Sequence, residues 1–529
     1  MSIERIAVFS GNLSYSVRKN IIVIDRALPG LTWLILLHSP KKTLGQTWRG
    51  QWRNLRRHGW RRISALASVV RKRLAARALR PAAAQSPGGE YTTAALKARP
   101  NVRILEVPDI HAPEVLEEIR AFDPNLGLSL AAPILRHDLF AIPRLGTVNL
   151  HKGKVPEYRG MPPAFWEMWN DEESVGCTVH WVEQKLDTGP IASATSITRE
   201  RYSTVRGLQL RLDEVGIDLM RDVVVEIARG SPRRSPQAPG GKTYRQPTLA
   251  QEAQLARKIA RQSPTEAPLP KRLLKNAIKG TAFAAGIGCL HRVAVPRANV
   301  LLYHRVTDSV RDNLTTGIEQ FDRQMALLRR HFRIISLAEL LDKDAVPKTD
   351  RPLVCVTFDD GYLDNYLNAA PILLRHEISA AFFVSTGIVG TERRFPHDIR
   401  RGNPSIPLMQ WDHLRKLHEN GFLIGSHTVN HIDCAAEPEE VVRAELEQSR
   451  DHLYQELSLQ RVIFSYPYGG RQHMTAERLA LVKRAGYIGC VSAYGGSNVG
   501  KIDRFNVLRR GIHWEFSDAS FLYESLGLW

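Results

Sequence analysis

Thr357-Phe358-Asp359-Asp360-Gly361-Tyr362, followed far downstream by His427-Thr428-Val429-Asn430-His431, holds the residue types of a metal-assisted hydrolysis. The acids close an apolar run, Leu353-Val354-Cys355-Val356, that reads as a buried strand. Adjacent side chains at a strand end project in different directions, so one carboxylate can bind a metal while the other faces substrate. The two histidines, four apart, share a face if their segment is helical. One carboxylate and two imidazoles give a divalent cation three ligands and leave a position open, the arrangement expected of a catalytic site. Such a donor set suits zinc foremost, and cobalt, nickel or iron as well.

A second constellation lies upstream. Asn149-Leu150-His151 is followed by Val155-Pro156-Glu157-Tyr158-Arg159-Gly160, and further on by Lys185-Leu186-Asp187-Thr188-Gly189. An Asn, a His and an Asp converging on a cleft suit transfer of a one-carbon acyl group to an amine. The His can take or relay the amine proton, the Asp can orient it, and the Asn amide can donate to the developing oxyanion. A purely structural hydrogen-bonded trio uses the same three residues, and the spacing alone leaves both readings open.

These residues must be positioned by alternating elements. Strand-like runs at Ile6–Ser10, Thr32–Leu37, Val102–Val107, Leu126–Leu130, Thr147–Leu150 and Cys177–Val182 alternate with helical patterns. That alternation predicts an α/β fold with a mostly parallel sheet. The stretch 230–270 is rich in Pro, Gln, Arg and Ser with one helical pattern at Leu249–Ala260, and reads as a domain tail and linker. A second α/β run starts near Asn299-Val300-Leu301-Leu302-Tyr303 and continues to the end. The expected organisation is a first domain over 1–246 with a basic insertion at 41–84, a linker over 247–296, and a second domain over 297–529.

The second block, over roughly 297–515, resembles the polysaccharide deacetylases of the NodB type, metal-dependent amidohydrolases acting on N-acyl amino sugars. The likeness rests on Leu302-Tyr303-His304, the Asp-Asp and His pairs, and Arg461-Val462-Ile463-Phe464-Ser465-Tyr466-Pro467-Tyr468-Gly469. It implies a deformed (β/α) barrel. It implies Asp359 as the general base, Asp360, His427 and His431 as metal ligands, and the Tyr468 backbone amide as an oxyanion donor. The general acid implied is a histidine near the last strand, for which His513 is the nearest match and His473 the second. Many relatives place an Arg at or beside the position of Ser465 to steady the base; its absence here makes Arg510 the candidate substitute.

Over roughly 100–230 the first block is similar to the formyltransferases that use 10-formyltetrahydrofolate. Asn149-x-His151, Pro156-x-Tyr158-Arg159-Gly160, Pro162-Pro163, Gly176-x-Thr178-x-His180 and Leu186-Asp187-x-Gly189 carry the likeness. It implies an open Rossmann-like sheet with Asn149, His151 and Asp187 as the catalytic set. The family's usual Ser-Leu-Leu-Pro after the histidine is replaced by Lys152-Gly153-Lys154-Val155-Pro156. A methionyl-tRNA enzyme of this family would carry a small β domain where the linker and second block stand. An amino-sugar acceptor, nucleotide-linked or lipid-linked, is therefore expected rather than a nucleic acid.

The chain has 529 residues, a net charge of +19 and a hydrophobic content of 43%, enough for more than one ordinary core. Its five cysteines, Cys177, Cys289, Cys355, Cys434 and Cys490, form no C-x-x-C pair. That argues against a disulfide framework and fits a reducing, cytoplasmic compartment. No secretory h-region opens the chain, and Gly280 to Leu290 is too short to span a bilayer. Between Asp25 and Glu90 there is no acidic residue, while 41–80 interleaves Lys and Arg with Trp48, Trp52 and Trp60. That segment reads as a solvated helical insertion, as a helix peripheral to the anionic inner membrane face, or as a nucleic-acid or polyanion patch.

The expected function is a bifunctional, metal-dependent enzyme of glycan assembly, removing an acetyl or formyl group from an amino sugar and adding a formyl group to an amine. In one alternative only the deacetylase block is catalytic and the first block is a binding or targeting module. In another the chain is a non-enzymatic membrane adaptor with relic sites.

Overall fold

The computed structural model describes residues 3–40, 89–261, 296–349 and 351–527. The basic insertion, its proposed membrane helix, Cys289 and most of the linker lie outside the described residues. The described residues fall into two units, 3–261 and 296–527.

The first unit is built on a seven-stranded sheet. In chain order its strands are β1 (Arg5–Ser10), β2 (Thr32–His38), β3 (Val102–Val107), β4 (Leu126–Ser129), β5 (Thr147–His151), β7 (Ser174–Trp181) and β8 (Ile191–Thr198). They lie in the order β3-β2-β1-β4-β5-β7-β8. The first five are parallel, whereas β7 runs antiparallel to β5, and β8 to β7. β1 and β2 are nearly continuous apolar runs because a parallel sheet is covered on both faces. On one face Ala7, Phe9, Leu34 and Leu36 pack against Ile110, Leu116, Ile119 and Leu139. The helices Tyr15–Ala27 and Val205–Ala228 pack against each other.

The segment read as a linker contributes to this unit. The strand β9 (Lys242–Tyr244) pairs in parallel with β6 (Tyr158–Gly160). The helix Leu249–Arg261 buries Leu255 and bonds Lys258 to Asp171 at 2.5 Å. Proline and polar content hid this docking, because a short ribbon and one buried leucine leave little apolar periodicity.

The second unit holds β10 (Arg297–Tyr303), β11 (Arg305–Val306), β12 (Thr315–Thr316), β13 (Arg333–Ile334), β14 (Leu353–Phe358), β15 (Ala380–Val384), β16 (Leu423–Ser426), β17 (Phe464–Ser465), β18 (Cys490–Val491), β19 (Asn498–Val499) and β20 (Arg509–Gly511). The main sheet runs β18-β17-β16-β15-β14-β10-β19, with β13 on β14 and β20 on β10. All these pairs are parallel except β10 with β19. The segment leading into β20 hydrogen-bonds to the other edge of the sheet, Val507 N–H to the Cys490 carbonyl and Ser492 N–H to the Val507 carbonyl. One continuous segment thus touches both edges and bends the sheet into the deformed barrel that the sequence led us to expect. Its core includes Val300, Cys355, Phe383, Ile463, Val491 and Val507.

Candidate active sites

In the second unit the acids follow β14 directly. Asp360 has φ 76° and Gly361 φ 86°, a left-handed pair that turns the chain sharply at the strand end. The Asp359 N–H donates to the Tyr303 carbonyl at 3.0 Å, which holds the turn against β10.

The histidines are not on a helix. His427 follows β16, its N–H bonded to the Val384 carbonyl at 2.9 Å, and the chain then loops through Thr428 (φ 63°) to His431 (φ 58°). Buried Glu445, on the helix Glu439–Leu457, clamps that loop. Its Oε2 accepts from the Val429 and Asn430 N–H groups at 2.8 Å each, and its Oε1 accepts from Asn430 Nδ2 at 2.6 Å.

The result is a convergence on Asp360. His427 Nε2 lies 3.5 Å and His431 Nε2 3.4 Å from Asp360 Oδ1, and all three side chains are buried. His427 donates its Nδ1–H to the Ser465 carbonyl at 2.8 Å, so its neutral form turns a lone pair toward the carboxylate. Asp360 Oδ2 is buried without a hydrogen-bond partner. Acceptors aimed at one another demand a positive charge between them. Burial works against protonation of His427, yet Asp359 and Asp360 outweigh it and raise its pKa. A divalent cation meets the same demand with the donor chemistry these residues offer, so the trio fits a metal.

Asp359 has a different partner. Arg509 on β20 grips it in a fork, NH1 to Oδ1 and NH2 to Oδ2 at 2.7 Å each, and NH2 also reaches Ser465 Oγ at 2.8 Å. Its Nε donates to the Ser492 carbonyl at 2.7 Å, and the Arg509 side chain is fully buried. Burial alone would raise the Asp359 pKa, but Arg509 and then His427 hold it below the ordinary carboxylate value. The arginine that grips Asp359 is thus Arg509 and not Arg510, which pairs with Glu524. Adjacent strand residues face opposite sides, which is why the neighbouring position points away.

A cleft of about 340 Å³ opens over these groups, and Asp359, Asp360, His427, His431 and Tyr468 line it. Tyr468 (φ 62°) is 44% exposed and sets its ring 5.2 Å from that of His431. His304 and His397 also line the cleft, as do Gly511 and Ile512, whereas His513 packs its ring on Phe516. Burial, opposed by Asp360 and Asp359, pushes the His304 pKa down to about 4. His397 Nε2 lies 3.7 Å from Asp360 Oδ2 and donates to the Tyr362 hydroxyl at 2.8 Å, which in turn donates to Asp398 at 2.6 Å. His473 stands behind Tyr468 at a ring distance of 5.6 Å. In the sequence His304 stands only at the end of a strand, Leu302-Tyr303-His304; its place at the C-terminal end of β10, beside that of β14, is the signal that marks it.

In the first unit the period of two along β5 puts Asn149 and His151 on one face. The antiparallel register pairs Asn149 with His180 and His151 with Thr178, so the Asn-x-His and Thr-x-His motifs share that face. Asn149 Nδ2 donates to His180 Nε2 at 3.1 Å, leaving one amide hydrogen for another acceptor. His180 donates its Nδ1–H to the Trp181 carbonyl at 2.9 Å.

Asp187 (φ 54°) enters from the loop after β7 and stands between the two rings. Oδ2 is 3.4 Å from His151 Nδ1 and accepts from the Gly160 N–H at 3.0 Å, while Oδ1 is 3.4 Å from His180 Nε2. His151 donates Nε2–H to the Tyr158 carbonyl at 2.8 Å, so Nδ1 is the ring atom able to take a proton. Burial lowers the His151 pKa, with Asp187 opposing. Asp187 is itself held below the ordinary carboxylate value despite burial, through His180, His151 and the Gly160 amide. Gly153 passes so close to the His151 ring that a Cβ there would sit 2.5 Å from Nε2, so the unusual loop after His151 needs a glycine. Gln237, from the segment read as tail, donates to the Asp187 and Gly189 carbonyls at 2.9 and 2.7 Å. His180 and Gln237 join the expected trio.

Residues 347–488 match the family model for polysaccharide deacetylase, and residues 50–224 that for formyl transferase. The chain therefore joins a formyltransferase domain to a polysaccharide deacetylase-like domain. The methionyl-tRNA formyltransferase of Chlorobium chlorochromatii is 33% identical over 139 residues, 26% of this chain and 44% of that protein. The one from Halorhodospira halophila is 33% identical over 141 residues, covering 26% and 46%. The chain thus spans less than half the length of these relatives. Among solved structures, a Streptococcus pyogenes deacetylase in complex with acetate superposes at 22% identity and a TM-score of 0.37, covering 44% of this chain and 99% of that one. A sugar N-formyltransferase from a Shewanella species superposes at 14% identity and a TM-score of 0.31, covering 48% and 87%. Among the described residues no helix is long and apolar enough to cross a membrane.

Proposed function

We propose that the C-terminal domain is a metal-dependent N-deacylase of an amino sugar and that the N-terminal domain transfers a formyl group from 10-formyltetrahydrofolate to an amino-sugar amine. The observation that carries the first half is the buried Asp360, with two inward-facing imidazoles on its Oδ1 and no hydrogen bond to its Oδ2, beside an Asp359 held separately by Arg509.

A divalent cation held by Asp360, His427 and His431 would supply Lewis acidity toward an amide carbonyl and toward water. Asp359, kept ionised by Arg509, takes a proton from the attacking water. The Tyr468 amide serves the developing oxyanion. The proton that Asp359 accepts passes through the neutral His304 ring to the leaving nitrogen, so a carboxylic acid and a free amine are released. His513, the choice from sequence, is the second assignment for that step.

In formyl transfer the acceptor amine attacks the formyl carbon, His151 Nδ1 takes the amine proton and Asp187 stabilises the imidazolium. The free amide hydrogen of Asn149 donates to the oxyanion, and tetrahydrofolate leaves with its nitrogen reprotonated.

Mass spectrometry of N-acetyl and N-formyl amino sugars incubated with metal-loaded protein tests the first activity; loss of the acyl mass is expected. Nucleotide-linked amino sugars with 10-formyltetrahydrofolate test the second, where a formyl mass should appear. Hydrolysis without any formyl product would reduce the first domain to a binding module, and neither product would overturn the whole reading.

A further inference from the structure

Arg400 and Arg401, at the end of the short helix Pro396–Arg400, line the deacylase cleft together with Asn313 and Tyr468. Both are exposed, and Arg401 donates to Asn313 Oδ1 at 3.0 Å. The carboxylates near them are already engaged. Asp359 is held by Arg509, Asp360 faces His427 and His431, and Asp312 and Asp398 both pair with the fully buried Arg305. Among the described residues neither Arg400 nor Arg401 has a carboxylate within ion-pair distance, so the rim carries two positive charges that the described residues do not neutralise. Arg400 and Tyr468 line the same cleft, and the Tyr468 ring lies 5.2 Å from that of His431. An anion held at Arg400 therefore shares one cleft with the ligand trio.

We propose that this cleft takes an N-acyl amino sugar carrying a phosphate, with Arg400 and Arg401 as the residues that determine that specificity. The inference rests on the deacylase reading and names its substrate class. A guanidinium fork matches the oxygens of a phosphate, and two forks on one rim match a phosphate better than a single carboxylate. A neutral N-acyl polymer offers these charges nothing and leaves them to be partly desolvated on binding. The phosphate can come from a nucleotide diphosphate or from a polyprenyl phosphate, which present the same oxygens to the rim.

Calorimetric binding to the full chain separates this from catalysis. N-acetylglucosamine 1-phosphate should bind about tenfold or more tightly than N-acetylglucosamine, a ratio that converts to at least ~1.4 kcal/mol. The preference should shrink at high ionic strength and fall to near unity in Arg400→Gln/Arg401→Gln. Equal affinities for the two sugars, or a preference unchanged in the double variant, would overturn the proposal even if the protein hydrolyses neutral substrates. A phosphate preference without any hydrolysis would instead overturn the deacylase reading and leave the anion site standing. Competition by a UDP-linked N-acetyl sugar against a polyprenyl-phosphate N-acetyl sugar in phosphatidylcholine vesicles then tells the two phosphate sources apart.

Discussion

Arg509 and Asp359 meet in a two-pronged ion pair, 2.7 Å on each arm, inside the barrel of the second unit. Both side chains are almost fully buried, so each charge depends on the other. Removing the arginine strands a buried carboxylate, at a cost of about 3–5 kcal/mol. In Arg509→Gln the pKa of Asp359 should rise, because its strongest acid-strengthening neighbour is gone and burial then prevails. Since a depressed carboxylate is active above its pKa, the acid limb of hydrolysis should move to higher pH. A pH–rate profile checks this; an unmoved limb would remove Asp359 from the role of base.

Metal retention separates the ligands from the base. Purified protein should carry roughly one equivalent of divalent metal per chain at this trio. Asp360→Asn and His427→Ala should lose it, and Asp359→Asn should keep it while losing hydrolysis. Glu445→Gln leaves every ligand in place but weakens the clamp on the His427–His431 loop. Outer partners of this kind are worth about 10–100-fold in metal affinity. Competition against a chromophoric chelator measures that loss.

Proton delivery to the leaving amine distinguishes two histidines. His304 lines the cleft and His513 packs on Phe516. His304→Ala should cut kcat on an acetyl amide by about 10²–10⁴. It should matter far less on an activated ester, whose leaving group needs no proton. His513→Ala should leave that contrast intact, and the reverse pattern would restore the assignment read from sequence.

Formyl transfer should keep its rate on acidification past the ordinary histidine value, because burial lowers the pKa of His151 and the neutral ring persists. The sign follows from the causes: Asp187 works to raise that pKa, so Asp187→Asn should lower it further. NMR titration of the imidazole in both proteins reads this even where turnover is lost. His151→Ala, Asn149→Ala and His180→Ala should each depress formyl transfer and spare hydrolysis.

Much of both sites was legible because catalysis demands particular residue types next to short, recognisable strand ends. Asp359 and Asp360 follow an apolar run that could only be an interior strand, and Asn149 and His151 show the period of two that sets side chains on one sheet face. The condition that a helix would set His427 and His431 on one face is not met, because spacing cannot register left-handed residues. Thr428 and His431 bring the rings together through a loop that Glu445 holds from a distant helix. The expectation of Arg510 fails for a related reason: without the pairing register, nothing in the string says which of two neighbours faces inward.

What the amino-acid order determined was the inventory: two α/β units, an acid and a histidine pair able to grip a cation, and an amide–imidazole–carboxylate set suited to acyl transfer. What only the tertiary structure decided was which charges meet. Arg509 reaches Asp359 across 150 residues because β20 pairs with β10, which also pairs with β14. His180 meets Asn149 because β7 turns antiparallel against β5. Local propensity dictates a strand, but partners so far apart in the chain are chosen by sheet closure and register, which only the folded whole defines.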